Sequence, residues 1–229
     1  QTKRYVFSVI GWSFLNLVPY KYKGLLRMMQ HIFSNKVNDL GKIFDENIEL
    51  VSVDRPRSGE LESLADKLFL KRTVLELDWQ QETRDEALPQ KKLATLKQEE
   101  FTPLASEITH VTKLLLQLFN WEAVRVRVTT ISGPMCPKFH TDYVACRMLI
   151  TVSGPSTEWI ASQDVQEEIL ADQKSAALPL KEGKKIRQLA SGSLSLLKGG
   201  NWQDGFRGVV HRSPHTKAQR LLLTFDPIL

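Results

Sequence analysis

A histidine and an aspartate two residues apart, His140 and Asp142, stand immediately before an apolar run in the stretch FHTDYVACRMLITV. Alternate residues of an extended chain point to the same face, and the same spacing continues through Cys146, Met148 and Ile150. The pair is therefore predicted to face an interior. An imidazole and a carboxylate are costly to bury without partners, and a divalent metal ion satisfies both. The spacing thus predicts two ligands of a metal site.

A third ligand and a candidate anion-binding arginine follow in GFRGVVHRSPHTKAQRLLLTFD. His211 ends a short apolar run, and Arg220 opens the predicted strand RLLLTF nine residues later. Two histidines and one carboxylate form a face that leaves metal positions open for an organic acid and dioxygen, and an arginine can pair with the far carboxylate of that acid. The alternatives are a polar cluster without metal, and a structural ion pair of Arg220 with Asp226 or Glu158.

Cys136, four residues before His140, supports a different metal site. A thiolate at this spacing can join His140, Asp142 and His211 in a closed tetrahedral zinc site. Such a soft ligand favours zinc over an iron centre that activates oxygen. A small buried side chain without any ligand role is the other interpretation of Cys136.

The residues around these candidate ligands have less specific predicted roles. Glu158 and Trp159 follow the turn GPST, and they either line a substrate pocket or form a buried tryptophan beside a rim carboxylate. Arg147 has the opposite parity to the metal pair, so it is expected to face solvent or the helices. The glycine pair in LLKGGNW lacks the Gly-Lys-Ser/Thr ending of a phosphate loop and is expected to form a turn.

Hydrophobic periodicity divides the chain into a helical half and a strand half. From Ala123 the period is two, as in VRVRVTT, which predicts a half-buried strand. Further strands are predicted at about 143–152, 193–198, 207–211 and 219–226. Before residue 120 the pattern is mostly helical, with one predicted strand in ENIELVSV, a helix at about 60–71 capped by Ser58, and a helix opening at Thr102 and Pro103. The fold class is therefore α+β: an N-terminal helical layer, 1–120, packed on a C-terminal barrel, 121–229, as one continuous domain.

Composition limits the classes of function. The chain has 229 residues, 42% hydrophobic and 25% charged, which is typical of a soluble globular protein. Two cysteines are too few for a disulfide framework, so a reducing, cytoplasmic location is expected. The apolar segment 5–20 is shorter than the roughly 20 residues of a membrane helix and lacks a cleavage pattern, so it is predicted to be a core segment and no membrane is expected as a partner. The formal charge of +5 is scattered, so nucleic acid is not expected as a partner.

The residues His140-Thr-Asp142, His211 and Arg220, on strands of a predicted barrel, resemble the iron(II)/2-oxoglutarate-dependent dioxygenases over about residues 123–227. The resemblance implies a double-stranded β-helix, or jelly-roll, with ferrous iron held by the two histidines and the aspartate and with 2-oxoglutarate held through Arg220. Enzymes of that family usually hydroxylate or demethylate a second substrate while releasing succinate and carbon dioxide. The hydroxyl residue that many members carry two positions after the arginine is Leu222 here.

Three phrases, CPKFHTDYVACRML, GPSTEWI and LLKGGNWQDGFRGVVHRSPH, resemble a bacterial domain-of-unknown-function family associated with zinc-responsive gene neighbourhoods, over roughly residues 40–227. That resemblance implies no activity, but it places the three phrases at one site. Three hypotheses follow: an iron(II)/2-oxoglutarate-dependent enzyme acting on a small-molecule or protein substrate, a non-catalytic zinc-binding protein of metal homeostasis, and a metal-free binding barrel. The sequence specifies neither the substrate nor the oligomeric state.

Overall fold

The computed structural model of the chain describes residues 28–82, 85–94, 101–133, 135–172 and 174–228. The apolar segment 5–20, predicted to belong to the core, lies outside the described residues. None of the described helices is both long enough and apolar enough to cross a lipid bilayer.

Strands and helices alternate along the first half of the chain, and strands dominate the second half. The strands are β1 Gln30–Ser34, β2 Ile48–Val53, β3 Glu76–Glu82, β4 Ala123–Ser132, β5 Cys146–Ser153, β6 Glu158–Ile160, β7 Arg187–Gln188, β8 Leu194–Lys198, β9 Val210–Arg212 and β10 Gln219–Ile228. The α-helices are α1 Gly59–Leu70, α2 Leu88–Ala94, α3 Thr102–Phe119 and α4 Glu167–Ala171, and short 3-10 helices span Val37–Phe44 and Ser162–Asp164.

The described strands form two sheets that face each other. The large sheet has seven strands in the order β1-β2-β8-β5-β10-β4-β3, and the small sheet has three in the order β7-β6-β9. Strands β1 and β2 are parallel, and the other neighbours in both sheets are antiparallel. A single antiparallel bridge between His140 and His211 extends the small sheet beyond β9 by one residue pair.

The two faces of the large sheet pack against different layers, because side chains alternate along each strand. On the outer face, side chains of β5, β8 and β10 pack with α1 and α3; they include Met148, Ile150, Leu196, Leu223 and Phe225. On the inner face, Leu50, Leu149 and Leu197 pack with residues of the small sheet and its flanks, including Trp159 and Val209. Strands β2 and β8 are buried at every residue, as expected for strands covered on both faces.

The strands predicted after residue 121 are confirmed, with β5 and β9 beginning three residues later than predicted. The predicted helix at 60–71 is α1, and the Ser58 hydroxyl accepts a hydrogen bond from the Leu61 amide at 3.4 Å. Helix α3 begins at Thr102 with a proline in its first turn, but Phe101 occupies the N-cap and makes no side-chain capping bond.

The prediction that the mostly helical segment before residue 120 contains only one strand is wrong. Strands β1 and β3 also lie in this half, and they occupy the two edges of the large sheet. Edge strands can be short and polar on one face, and both of these are: β1 has only five residues, and the exposed residues of β3 include Glu76 and Asp78. Helices α1 and α3 do cover the outer face, but the strands of this half share one sheet with those of the other half.

The outer core is expected to dominate the stability of the fold. Leu223 is fully buried there on β10, between β5 and β4. We expect Leu223→Ala to lower the free energy of unfolding by about 2–5 kcal/mol, because the substitution removes buried methyl groups and leaves a cavity. Leu70→Ala is the matched control, since Leu70 is 86% exposed, and should change it by no more than about 0.5 kcal/mol. Denaturant unfolding measures both, and equal losses would contradict this assignment of the core.

Candidate metal centre

Two histidines meet at the open edge of the small sheet. The His140 amide donates to the His211 carbonyl at 3.0 Å, and the His211 amide donates to the His140 carbonyl at 2.9 Å. Residues paired in this way present their side chains on one face, and the two ring centroids lie 4.7 Å apart. The backbone pairing therefore fixes both imidazoles side by side.

A backbone carbonyl fixes the orientation of each imidazole. His140 Nδ1 lies 3.0 Å from the Lys138 carbonyl oxygen, and His211 Nδ1 lies 3.0 Å from the Val209 carbonyl oxygen. A carbonyl oxygen can only accept a hydrogen bond, so Nδ1 carries the proton in both rings. The Nε2 atoms are left for another partner, which is how histidine usually binds a metal.

Asp142 supplies a carboxylate between the two Nε2 atoms. Its Oδ2 lies 3.1 Å from His211 Nε2, and its Oδ1 lies 3.7 Å from His140 Nε2. One ligand atom from each of the three residues lies within 4.8 Å of the others. An imidazole lone pair and a carboxylate both donate electron pairs, so this approach requires a proton or a cation between them. The arrangement fits a divalent metal ion held by two nitrogens and one oxygen.

The electrostatics of the site favour an ionised Asp142 carboxylate and a neutral His140 ring. Burial alone would raise the pKa of Asp142, but the hydrogen bond from His211 and the charges of His211, Arg147 and His140 hold it well below its usual range. Burial, followed by the neighbouring His211, lowers the pKa of His140. These protonation states are the ones that a metal ion requires of its ligands.

The predicted parity of the apolar run after Asp142 is wrong. Residues 143–145 form a bend, and β5 begins only at Cys146, so the metal pair and the strand are not one extended segment. Cys146 and Met148 consequently face the outer core, whereas Arg147 faces the inner side. The interior that holds the site is the one between the two sheets.

Arg147, which was expected to face solvent or the helices, instead contacts the metal ligand Asp142. Its Nη1 donates to Asp142 Oδ2, while its Nε and Nη2 donate to the two oxygens of Asp226 at 2.6 and 2.9 Å. Asp226 also accepts a hydrogen bond from Arg127. Burial lowers the pKa of Arg147, but the two carboxylates outweigh it and raise the pKa overall.

The glycine pair of LLKGGNW opens a turn, as predicted, in which the Trp202 amide donates to the Gly199 carbonyl at 3.1 Å. The pair also holds the loop that carries Asp142. The Gly199 amide donates to the Ala145 carbonyl at 2.9 Å, and the Gly200 amide donates to the Asp142 carbonyl at 2.8 Å. A Cβ atom at Gly199 would overlap the Val144 carbonyl oxygen and lie 2.9 Å from the Asp142 carbonyl oxygen. Only glycine lets the two backbones approach this closely.

A third glycine, Gly208, lies just before β9 and packs against the backbone of Gly199 and Gly200. Gly208 has a φ of +89°, and a Cβ atom there would lie 2.7 Å from the Gly200 amide nitrogen. The next residue, Val209, donates its amide to the Lys198 carbonyl at 2.9 Å. Asp142 and His211 are thus positioned against one glycine segment, a role that the spacing of glycines alone does not reveal.

Arg220 is buried on the inner side without a carboxylate partner among the described residues. Its Nη2 donates to the Ser213 hydroxyl at 3.1 Å and its Nη1 to the Pro155 carbonyl at 3.5 Å, while Nε has no hydrogen-bond partner. The ion pairs considered from the sequence do not form, because Asp226 pairs with two other arginines and Glu158 pairs with Arg212. Burial lowers the pKa of Arg220.

Cys136, the predicted fourth ligand, does not join His140, Asp142 and His211 in the structure. It is exposed, and its carbonyl accepts a hydrogen bond from the Ser213 amide at 3.0 Å. Ser213 lies two residues beyond His211, so this pairing displaces Cys136 along the chain and away from the Nε2 atoms. The thiol is not positioned to complete a tetrahedral site.

The two predicted substrate-lining residues are already engaged. Trp159 is 1% exposed in the inner apolar cluster, with the His31 ring 4.5 Å away and the Arg187 guanidinium 5.1 Å from its ring centre. Glu158 accepts a hydrogen bond from Arg212 at 2.7 Å. Trp159 lies opposite His211 in the small sheet, so the two side chains share one face of that sheet.

Most of the chain matches the model of one protein family. The model of a family described as "Protein of unknown function (DUF1826)" matches residues 34–226. No curated protein sequence matches the chain.

The chain is similar to solved structures. The dioxygenase for auxin oxidation of rice has a TM-score of 0.54 and 11% identity, over 87% of this chain and 83% of that one. The dioxygenase for auxin oxidation 1 of Arabidopsis thaliana, solved with 2-oxoglutarate, has a TM-score of 0.47 and 10% identity, over 88% and 92%. A prolyl-4-hydroxylase of Pseudomonas putida has a TM-score of 0.41 and 12% identity, over 84% and 97%. The likeness to the rice enzyme shows the fold alone, and it confirms the predicted jelly-roll class at that level.

The close approach of the glycine segment to the Asp142 loop can be tested by a single methyl group. We expect Gly199→Ala to displace the loop at Val144, to lower the free energy of unfolding by about 1–3 kcal/mol, and to weaken metal binding by about tenfold to a hundredfold. Gly41→Ala is the matched control, because a Cβ atom at Gly41 meets nothing within 4 Å. Calorimetric metal titration and denaturant unfolding measure the two effects, and unchanged metal affinity in Gly199→Ala would refute the role of this segment.

Proposed function

This chain belongs to the DUF1826 family of proteins of unknown function, and we propose that it is an iron(II)/2-oxoglutarate-dependent oxygenase with a single metal ion. His140, Asp142 and His211 would hold the iron, and Arg220 would hold the distal carboxylate of 2-oxoglutarate.

The three ligands have the donor set and the orientation that ferrous oxygenases use. Both Nε2 atoms point at the carboxylate, and their tautomers are set by backbone carbonyls. Two nitrogens and one oxygen occupy one face of an octahedral ion and leave three positions open. Because Cys136 is not part of this group, a closed zinc site would lack its fourth ligand.

The observation that carries the proposal is the buried guanidinium of Arg220. A buried charge is costly unless it is paired, and within the described part of the chain no carboxylate pairs with it. Its Nε is buried without a hydrogen-bond partner. A guanidinium in this state fits a bidentate carboxylate ligand.

The position of Arg220 relative to the metal ligands suits an acid with a carboxylate at each end. Ser213 links the two, since it accepts a hydrogen bond from Arg220 and lies two residues after His211. In extended chain that separation is about 7 Å. The Ser213 hydroxyl also compensates for Leu222, which stands where a hydroxyl residue is usual and packs against the inner apolar cluster.

Each residue then has a defined task. Bound iron would supply oxygen activation coupled to oxidative decarboxylation of the 2-oxo acid. His140, Asp142 and His211 hold the ion, and Arg147 holds the Asp142 carboxylate in place through its own anchor on Asp226.

Metal identity is the first test. The protein, purified without a histidine tag, is loaded with iron(II) or zinc(II) under anaerobic conditions, and the bound metal is measured by elemental mass spectrometry. We expect one iron per chain that is lost in His140→Ala, because one of the three ligands is removed. Cys136→Ala should retain the metal, because its thiol lies outside the group.

The opposite result has a specific meaning. Tight zinc that depends on Cys136 would overturn the oxygenase proposal in favour of a zinc-binding protein of metal homeostasis. Failure of any metal to bind would leave a metal-free binding barrel.

The role of Arg220 is tested by 2-oxoglutarate binding. We expect Arg220→Gln to weaken 2-oxoglutarate by about 2–5 kcal/mol, because a buried charge pair loses one partner, and to leave metal affinity unchanged. Stability should not fall as it would for a structural ion pair, because no protein carboxylate loses a partner. Arg57→Gln, whose guanidinium pairs with Glu62 near the surface, is the control. Calorimetry of 2-oxoglutarate on the metal-loaded variants decides, and retained affinity in Arg220→Gln would sink the assignment.

A further inference from the structure

We propose that Arg127 and Arg147 form an anion-binding subsite beside the metal ligands, and that this subsite binds a carboxylate group of the substrate. The inference rests on the proposed function, because it names the substrate class of the same site. It depends on how the two guanidiniums share their carboxylate partners.

The two arginines lie on the inner face at one end of the large sheet. Register pairing places Thr224 opposite both Arg127 on β4 and Leu149 on β5, so Asp226 falls opposite Arg147 on the same face. Arg147 contacts Asp142 directly, and Arg127 reaches the same cluster through Asp226. A group bound between the guanidiniums would therefore lie next to a metal ligand.

Arg127 is only partly satisfied by the protein. Its Nη2 donates to Asp226, but its Nε is buried and has no hydrogen-bond partner. Asp226 is already held by two hydrogen bonds from Arg147, so one carboxylate serves two cations. Burial and the neighbouring Arg147 and Arg125 lower the pKa of Arg127, against the attraction of Asp226 and Asp78. An additional anion would relieve this imbalance.

The position of Arg127 also makes it accessible to a ligand. Its side chain is 30% exposed, compared with 15% for Arg147. On the far side of β4, the residues of β3 that share this face are exposed, including Asp78, which lies opposite Arg127 in the ladder. The Asp78 carboxylate accepts hydrogen bonds from Nε and Nη2 of Arg125. Arg127 thus stands where the covered interior gives way to open surface.

Charge balance specifies the class of ligand. With a divalent metal and a 2-oxoglutarate dianion bound, the charged protein groups around them would be the guanidiniums of Arg127, Arg147 and Arg220 and the carboxylates of Asp142 and Asp226. Arg125, a fourth arginine on this face, pairs with Asp78, so that pair adds no net charge. The formal charges leave one positive charge over. A carboxylate carries one negative charge and matches a guanidinium fork, whereas a phosphate ester would add nearly two. The subsite therefore fits a monocarboxylic acid.

The test uses the smallest carboxylate, so that the shape of the true substrate does not matter. The full chain is loaded with zinc(II), which binds without redox chemistry, and saturated with 2-oxoglutarate. Acetate, acetamide and methyl phosphate are titrated separately, and the Nε–Hε signal of Arg127 is followed by NMR, identified by its loss in Arg127→Gln. We expect acetate to shift this signal, and acetamide and methyl phosphate to bind at least about tenfold more weakly.

Matched variants locate the effect. Arg127→Gln should weaken acetate binding, measured by calorimetry, at least about tenfold, while Arg125→Gln, the same charge change two residues away on the same strand, should alter it less than about twofold. An absent shift, equal binding of acetamide, tighter binding of methyl phosphate, or an equal loss in Arg125→Gln would each overturn the subsite.

The outcome is separable from that of the proposed function. The affinity for 2-oxoglutarate is measured in the same samples, and Arg127→Gln should leave it within about twofold, because Arg220 holds that acid. If 2-oxoglutarate does not bind but acetate still shifts the Arg127 signal, the oxygenase assignment fails and the anion subsite stands. If 2-oxoglutarate binds and acetate has no effect, the subsite alone fails.

Discussion

The reciprocal backbone pairing of His140 with His211 is the constraint on which the site depends. Two hydrogen bonds, at 3.0 and 2.9 Å, join segments 71 residues apart and place both rings on one face. The amides of Gly199 and Gly200 donate to the carbonyls of Ala145 and Asp142, in the loop that follows His140. These bonds hold the loop so that the Asp142 side chain lies beside the two rings. Main-chain bonds therefore define the position of three side chains, and the side chains need no flexible search to meet a metal ion.

Neighbouring charges stabilise the Asp142 carboxylate in the position that the backbone gives it. Asp142 lies between two imidazoles and a guanidinium, and its burial would be unfavourable without them. The same guanidinium is held by Asp226 through two hydrogen bonds, so its position does not depend on the metal ligand that it contacts. Because Arg147 holds the carboxylate and the low pKa of Asp142 keeps it ionised, the site presents a charged oxygen ligand to a cation.

The sequence predicted which residues meet at this site better than it predicted how the strands around them are arranged. The residue types and order of His140, Asp142, His211 and Arg220 depend on local spacing, and the structure brings the first three together. The parity of Arg147 failed because a bend at 143–145 interrupts the strand, and alternation carries no information across a bend. Edge strands β1 and β3 were missed for a related reason. Such strands bury only one face or part of it, so their pattern resembles that of a polar helix or loop.

Three arginines on the inner face show why residue type alone cannot assign a role. Arg147 donates to two aspartates, Arg127 shares one of them, and Arg220 has only a hydroxyl and a carbonyl. All three are polar side chains of strands that read alike in sequence. Their partners come from distant parts of the chain, and those partners determine how completely each guanidinium is hydrogen-bonded within the protein. Arg127 and Arg220, whose buried Nε atoms have no hydrogen-bond partner, are therefore the positions where the described residues pair the charge of this face only in part.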